Sequence, residues 1–190
     1  MKTITALMLL LFCSELLGCS DTISQYGFEI SDDLPNLCES TGSASDRHTP
    51  KPIGRTNSTQ GYYEYLPQGY DSDNQNYPLL IFIHGLGENG NGDSQLGDLL
   101  ATGIPKLIND DQWDEQRPFV VLSPQNSRGG CTRASDIHDF INFAKENYRV
   151  NSHRVYLTGL SCGAIGSWNY LGSYTDSQIA AVVPIAGNGN

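Results

Sequence analysis

Leu79 to Ile83 is an unbroken apolar run lying between Pro78 and His84-Gly85, and it constrains the fold more than any other segment. Successive side chains of a strand point to opposite faces, so such a run makes a strand only where both faces are covered, as in a parallel sheet flanked by helices. Phe119 to Leu122, Val155 to Thr158 and Ile179 to Ile185 read the same way. Helical patterns separate them. Gly103 to Asn109 predicts a short helix and Ser167 to Tyr174 another, while Ile137, Phe140, Ile141, Ala144 and Tyr148 fall at i, i+3, i+4, i+7 and i+11 on one apolar stripe. Tyr62 to Leu66 alternates as a half-buried strand does. Strands alternating with helices predict an α/β fold, a doubly wound and mostly parallel sheet whose ligands lie at the carboxyl ends of its strands.

Charge narrows the partners. With 11 basic against 21 acidic residues the net charge is -10, and no Lys or Arg run offers the footprint a phosphate backbone needs, so nucleic-acid binding is excluded. No metal or cofactor is expected. Asp71-Ser72-Asp73-Asn74-Gln75 opens like a calcium loop, but its sixth position is Asn76 instead of Gly and its twelfth is Phe82 instead of Glu, so it reads as a solvated loop.

The N-terminus carries Lys2 ahead of the apolar stretch Ile4 to Phe12, which is too short to span a bilayer but is the length of a signal-peptide core. Residues 1–18 are therefore expected to be a signal peptide. Leu16-Leu17-Gly18-Cys19 resembles the lipobox of bacterial lipoproteins, which implies export, lipidation at Cys19 and a membrane partner through the lipid anchor; plain secretion is the alternative. Residues 19–60, rich in Ser, Thr, Asp, Asn and Pro, read as a tether with one edge strand at Tyr26 to Ile30, and residues 61–190 as the folded domain.

Gly159-Leu160-Ser161-Cys162-Gly163 stands between a predicted strand and a predicted helix. Glycines two before and two after a serine allow the sharp turn that holds it strained and exposed, so Gly159 and Gly163 make Ser161 the candidate nucleophile. Such a serine needs donors aimed at the oxyanion of the attacked carbonyl. The loop His84-Gly85-Leu86-Gly87 after the first buried strand supplies one, the Leu86 amide, with Gly85 and Gly87 permitting close approach; the other is the Cys162 amide. His84 is expected to brace that loop. Cys131 follows the second buried strand on the same side of the sheet, so a Cys131–Cys162 disulfide is expected in an exported protein, with free buried cysteines as the alternative.

With these residues in place, the stretch from Gly61 onward resembles the N-terminal part of an α/β-hydrolase domain. Tyr65-Leu66-Pro67-Gln68-Gly69-Tyr70-Asp71, Pro78 to Gly85, Leu122-Ser123-Pro124-Gln125 and Gly159 to Gly163 are similar to secreted esterases, a branch that includes feruloyl and acetyl-xylan esterases, polyhydroxyalkanoate depolymerases and predicted peptidases. The resemblance implies a serine esterase working through an acyl-enzyme, on a small ester or peptide that can be polymer-linked, with a triad in the order Ser, acid, His.

The chain departs from that order. The 29 residues after Ser161 (190 minus 161) contain no histidine, and their one acid, Asp176, precedes the last predicted strand. His48 falls in the tether, His138 on the amphipathic helix and His153 at the amino end of a strand. The triad acid and histidine, and the later strands, are therefore expected to be missing from this chain. A serine peptidase of the same fold is one alternative; a non-catalytic surface lipoprotein or an inactive remnant is another.

Overall fold

The computed structural model describes residues 42–176 and 179–189. The signal peptide, Cys19, Cys38 and the strand expected at Tyr26 to Ile30 lie outside the described residues. Six strands form one sheet: β1 (His48–Lys51), β2 (Tyr62–Tyr65), β3 (Tyr77–Ile83), β4 (Val120–Pro124), β5 (Val150–Leu160) and β6 (Ala181–Ile185), in the order β1-β2-β4-β3-β5-β6. The first two pairings are antiparallel and the other three are parallel. Helices α1 (Gly103–Asn109), α2 (Ala134–Asn147) and α3 (Cys162–Ser173) complete the unit.

The apolar runs build two cores at once. Leu79, Ile81 and Ile83 of β3, with Val120 and Leu122 of β4, pack beside the α2 stripe and Tyr170 of α3. Leu80 and Val121, one residue out of phase, join Tyr65, Ile104, Ile108 and Trp113 in a second cluster that includes α1. The two-residue period thus divides each continuous run between the helical layers on either side of the sheet.

Several boundaries differ from those read in the sequence: β5 starts at Val150 instead of Val155, α3 at Cys162 instead of Ser167, β4 runs to Pro124 and β6 starts at Ala181. Two further differences bear on the sheet. β3 begins at Tyr77 and includes Pro78, where its register with β5 shifts between Tyr77 and Leu79; a proline cannot donate to the ladder and is accommodated at such an irregularity. Residues 42–60, expected to belong to the tether, are instead part of the folded unit. Ala44 is fully buried, and β1 pairs through its main chain with β2 at the sheet edge. Its sequence, His48-Thr49-Pro50-Lys51, has no apolar alternation, so periodicity could not reveal it; Pro50 suits an edge strand.

His48 gives β1 a pH dependence. Its imidazole is buried beside Tyr63, Nδ1 finds no hydrogen-bond partner, and burial pulls its pKa from 6.5 to about 4. The unfolded imidazole gains a proton below 6.5 while the folded one resists until about 4. The stability present above pH 6.5 is therefore lost across that window, by about 3 kcal/mol in all. Urea unfolding as a function of pH should show this decline in the parent chain and a shallower one in His48→Leu; equal slopes would contradict the assignment.

At the opposite edge, Val182 of β6 packs against the main core, whereas Val183 and Ile185 on the other face are 59% and 46% exposed. The run expected to need cover on both sides thus has one bare face among the described residues. No helix among these residues is long and apolar enough to cross a membrane.

Candidate active site

β5 ends at Leu160 and α3 begins at Cys162, leaving Ser161 alone in the turn with φ 53° and ψ −111°. A positive φ is costly for a residue with a Cβ and persists only where neighbours enforce it. Here the Ser161 N–H donates to Ile185 O at 2.8 Å, and its carbonyl accepts from the Ile165 N–H at 3.1 Å. The flanking glycines are demanded by space. A Cβ on Gly159 would lie 2.4 Å from Gly163 O, and one on Gly163 would lie 2.0 Å from Ile83 O. Ser161 is consequently exposed while Cys162, Gly163 and Ala164 behind it are buried.

The loop after β3 comes alongside. Gly85 precedes a turn of 3-10 helix, Leu86–Glu88, and a Cβ on Gly85 would be 3.9 Å from the Ser161 Cβ. Leu86 and Cys162 each occupy the first position of a helical segment, where backbone N–H groups have no intrahelical acceptor. These are the two amides that the sequence nominated as oxyanion donors, and α3 adds the positive end of its dipole. Leu86 directs its side chain to solvent, and Gly87 faces open space, so no packing contact requires a glycine there.

His84 braces this loop. Its Nε2 accepts the Asn126 N–H at 2.9 Å, which leaves the proton on Nδ1 to bond Gly85 O at 2.6 Å. Burial lowers its pKa, opposed by the bond to Gly85 and the nearby Glu88, and a ring with both nitrogens engaged serves as a neutral strut. The other histidines are elsewhere: His48 on β1, His138 on α2 stacked at 4.1 Å on Tyr174, and His153 in the exposed start of β5. Among the described residues, no hydrogen bond joins Ser161 Oγ to any histidine. Asp176 lies between α3 and β6.

Two residues in the loop after β4, Gln125 at the end of the Leu122 to Gln125 motif and Asn126 beside it, have roles that their residue types alone do not reveal. Gln125 is fully buried; its carboxamide donates to Glu88 O and Gln95 O at 3.1 and 2.7 Å and accepts from the Gly92 N–H at 2.9 Å. Asn126 is 2% exposed and binds the same loop from the other side. Buried amides need such partners. The available signal was their position directly after a buried strand, on the carboxyl side of the sheet. Cys131, a few residues on, forms a disulfide with Cys162, their Cα atoms 4.8 Å apart.

A separate cavity of about 310 Å³ is lined by Thr56, Tyr62, Glu64, Phe143 and Tyr148 among others. Its polar groups satisfy one another: Tyr62 and Tyr148 share a 2.7 Å bond, and Glu64 accepts from Tyr148, Thr49 and Lys51. No group of three or more metal-ligating side chains occurs among the described residues.

No protein-family model matches the chain. Among curated proteins it is similar to poly(3-hydroxyalkanoate) depolymerase C of Paucimonas lemoignei, 26% identical over 130 residues, which cover 66% of this chain and 30% of that one. Among solved structures it is similar to a mutant feruloyl esterase module from Clostridium thermocellum complexed with sinapinate (TM-score 0.58, 21% identity, 81% of this chain and 57% of that one). It is also similar to an acetyl xylan esterase from Aspergillus awamori (TM-score 0.51, 22% identity, 75% and 52%). The chain thus spans less than two thirds of the length of each. A strained serine between a parallel strand and a helix, on a sheet wound on both faces and superposable on esterase structures, identifies the architecture: the chain has the α/β-hydrolase fold.

Proposed function

We propose that the chain carries the nucleophile and oxyanion hole of a serine hydrolase of carboxylic esters. Ser161 Oγ attacks the carbonyl and loses its proton to a base, solvent hydroxide where no histidine is in reach; the Leu86 and Cys162 amides hold the developing oxyanion, the alcohol or phenolate departs, and an acyl-enzyme remains on Ser161. The observation that carries this reading is the exposed Ser161 at φ 53°, facing a loop whose leading amide is free by position. The named relatives act on feruloyl, acetyl-xylan or hydroxyalkanoate esters, which favours an acyl group attached to a polymer.

Esters are favoured over peptides by the named relatives, two esterases and a poly(3-hydroxyalkanoate) depolymerase. An amine leaves only after taking a proton from a general acid, the role of the triad histidine, so a phenyl ester is the substrate that tests Ser161 without one. A phenolate leaves unaided. With p-nitrophenyl acetate both steps draw on solvent hydroxide, yet acylation should outrun deacylation because nitrophenolate is a far better leaving group than the seryl alkoxide. Stopped-flow absorbance should record a burst of one equivalent of nitrophenol per chain, then slow turnover. Linear release at the background rate would contradict the proposal.

We also propose export with lipidation at Cys19. Palmitate labelling in a bacterial host should mark the parent chain and be lost in Cys19→Ala; undiminished incorporation would remove the anchor from the account.

A further inference from the structure

The two amides assigned to the oxyanion sit on different loops, and catalysis needs them held to a fraction of an ångström. Asn126 is where those loops are joined. Its main chain takes part twice, the N–H donating to His84 Nε2 at 2.9 Å and the carbonyl accepting from the Gly90 N–H at 3.1 Å. Its side chain reaches further: Nδ2 donates to Asn89 Oδ1 and to Gly130 O, both at 3.0 Å, while Oδ1 accepts from the Arg128 N–H at 3.1 Å. Asn89 Nδ2 closes a triangle by donating to the same Gly130 O at 3.0 Å. Gly130 directly precedes Cys131, whose disulfide leads to Cys162. A continuous path of hydrogen bonds and one covalent bridge therefore runs from the Leu86 loop, through Asn126, to the residue whose amide is the second donor.

We propose that Asn126 is a positioning residue for acyl transfer, fixing the Leu86 loop against the disulfide-anchored Cys162 so that both amides address one oxygen. The inference rests on the hydrolase reading for its kinetic consequence but not for its structural one. Gln125 holds the same loop at Glu88, Gly92 and Gln95. Asn126 is distinguished by joining that loop to the segment bridged to Cys162 beside the Ser161 turn.

The test uses the 190-residue chain with Asn126→Ala and, as a milder change that leaves the buried Asn126 in place, Asn89→Ala. Two readouts are taken: amide hydrogen exchange by mass spectrometry, and acylation by p-nitrophenyl acetate at varied concentration. In Asn126→Ala, exchange across residues 84–92 should rise about 10-fold or more while that of β3 and β5 stays unchanged. The acylation rate constant should fall about 100-fold with half-saturation nearly constant, as for a misplaced oxyanion donor. Asn89→Ala should move both readouts in the same direction by less, and should decide the matter if Asn126→Ala does not fold. Unchanged exchange in 84–92, or raised exchange with undiminished acylation, would overturn the proposal. A parent chain that is not acylated at all would remove the hydrolase reading, and exchange alone would then decide whether Asn126 couples the loops.

Discussion

Gly163→Ala is expected to abolish cooperative folding or to lower stability by more than about 4 kcal/mol, beyond the usual range for a point substitution. The added Cβ would stand 2.0 Å from Ile83 O, 2.6 Å from Ile83 C and 2.7 Å from His84 O. All three are backbone atoms at the end of β3, so no side chain can swing away. The clash is relieved only by lifting α3 off the central strand, which opens the main core. Alanine in a helix gains at most about 1 kcal/mol over glycine, too little to compensate. Gly87→Ala is the control: nothing lies within 4 Å of its added Cβ, and stability should change by no more than about 0.5 kcal/mol. Thermal unfolding of the two variants beside the parent checks both. A well-folded Gly163→Ala of parental stability would contradict this close packing of α3 on the end of β3.

The second large effect falls on Ser161 itself. Ser161→Ala should eliminate the nitrophenol burst, since the oxyanion hole has then no nucleophile to serve, while leaving the fold intact. The position also stores strain. Alanine at φ 53° is as hindered as serine, whereas glycine is not, so Ser161→Gly should be more stable than Ser161→Ala by about 1 kcal/mol, in the range measured for relieving left-handed positions. Urea unfolding of the two variants separates this effect from chemistry. The expected ranking, inactive but more stable with glycine, is what a strained functional residue produces.

The sheet was legible because its central strands are apolar on both faces, a pattern that polar or one-sided elements do not share. Leu79 to Ile83 announced β3, and the Ile137 to Ala144 stripe announced α2. β1 was missed because His48-Thr49-Pro50-Lys51 is held by main-chain pairing at an edge, where side chains need not alternate. At the site, the glycine spacing around Ser161 was readable because the close approaches at Gly159 and Gly163 leave room for no other residue. Gln125 and Asn126 were not, since an amide that follows a strand reads as an ordinary loop residue until its burial and partners are known. The bracing role of His84 was legible from its position at the start of the loop after β3; its tautomer follows only from the Asn126 N–H that meets Nε2.

If an acyl-enzyme forms on Ser161, the acyl group can be mapped there. The chain is incubated with p-nitrophenyl acetate, quenched in acid during the slow phase and digested, and the peptides are sequenced by mass spectrometry. One acetyl group is expected on the peptide spanning β5 and α3, localised to Ser161, and none there in Ser161→Ala. An acetyl group on another residue, or an unmodified Ser161 after a full burst, would contradict an acyl-enzyme on Ser161.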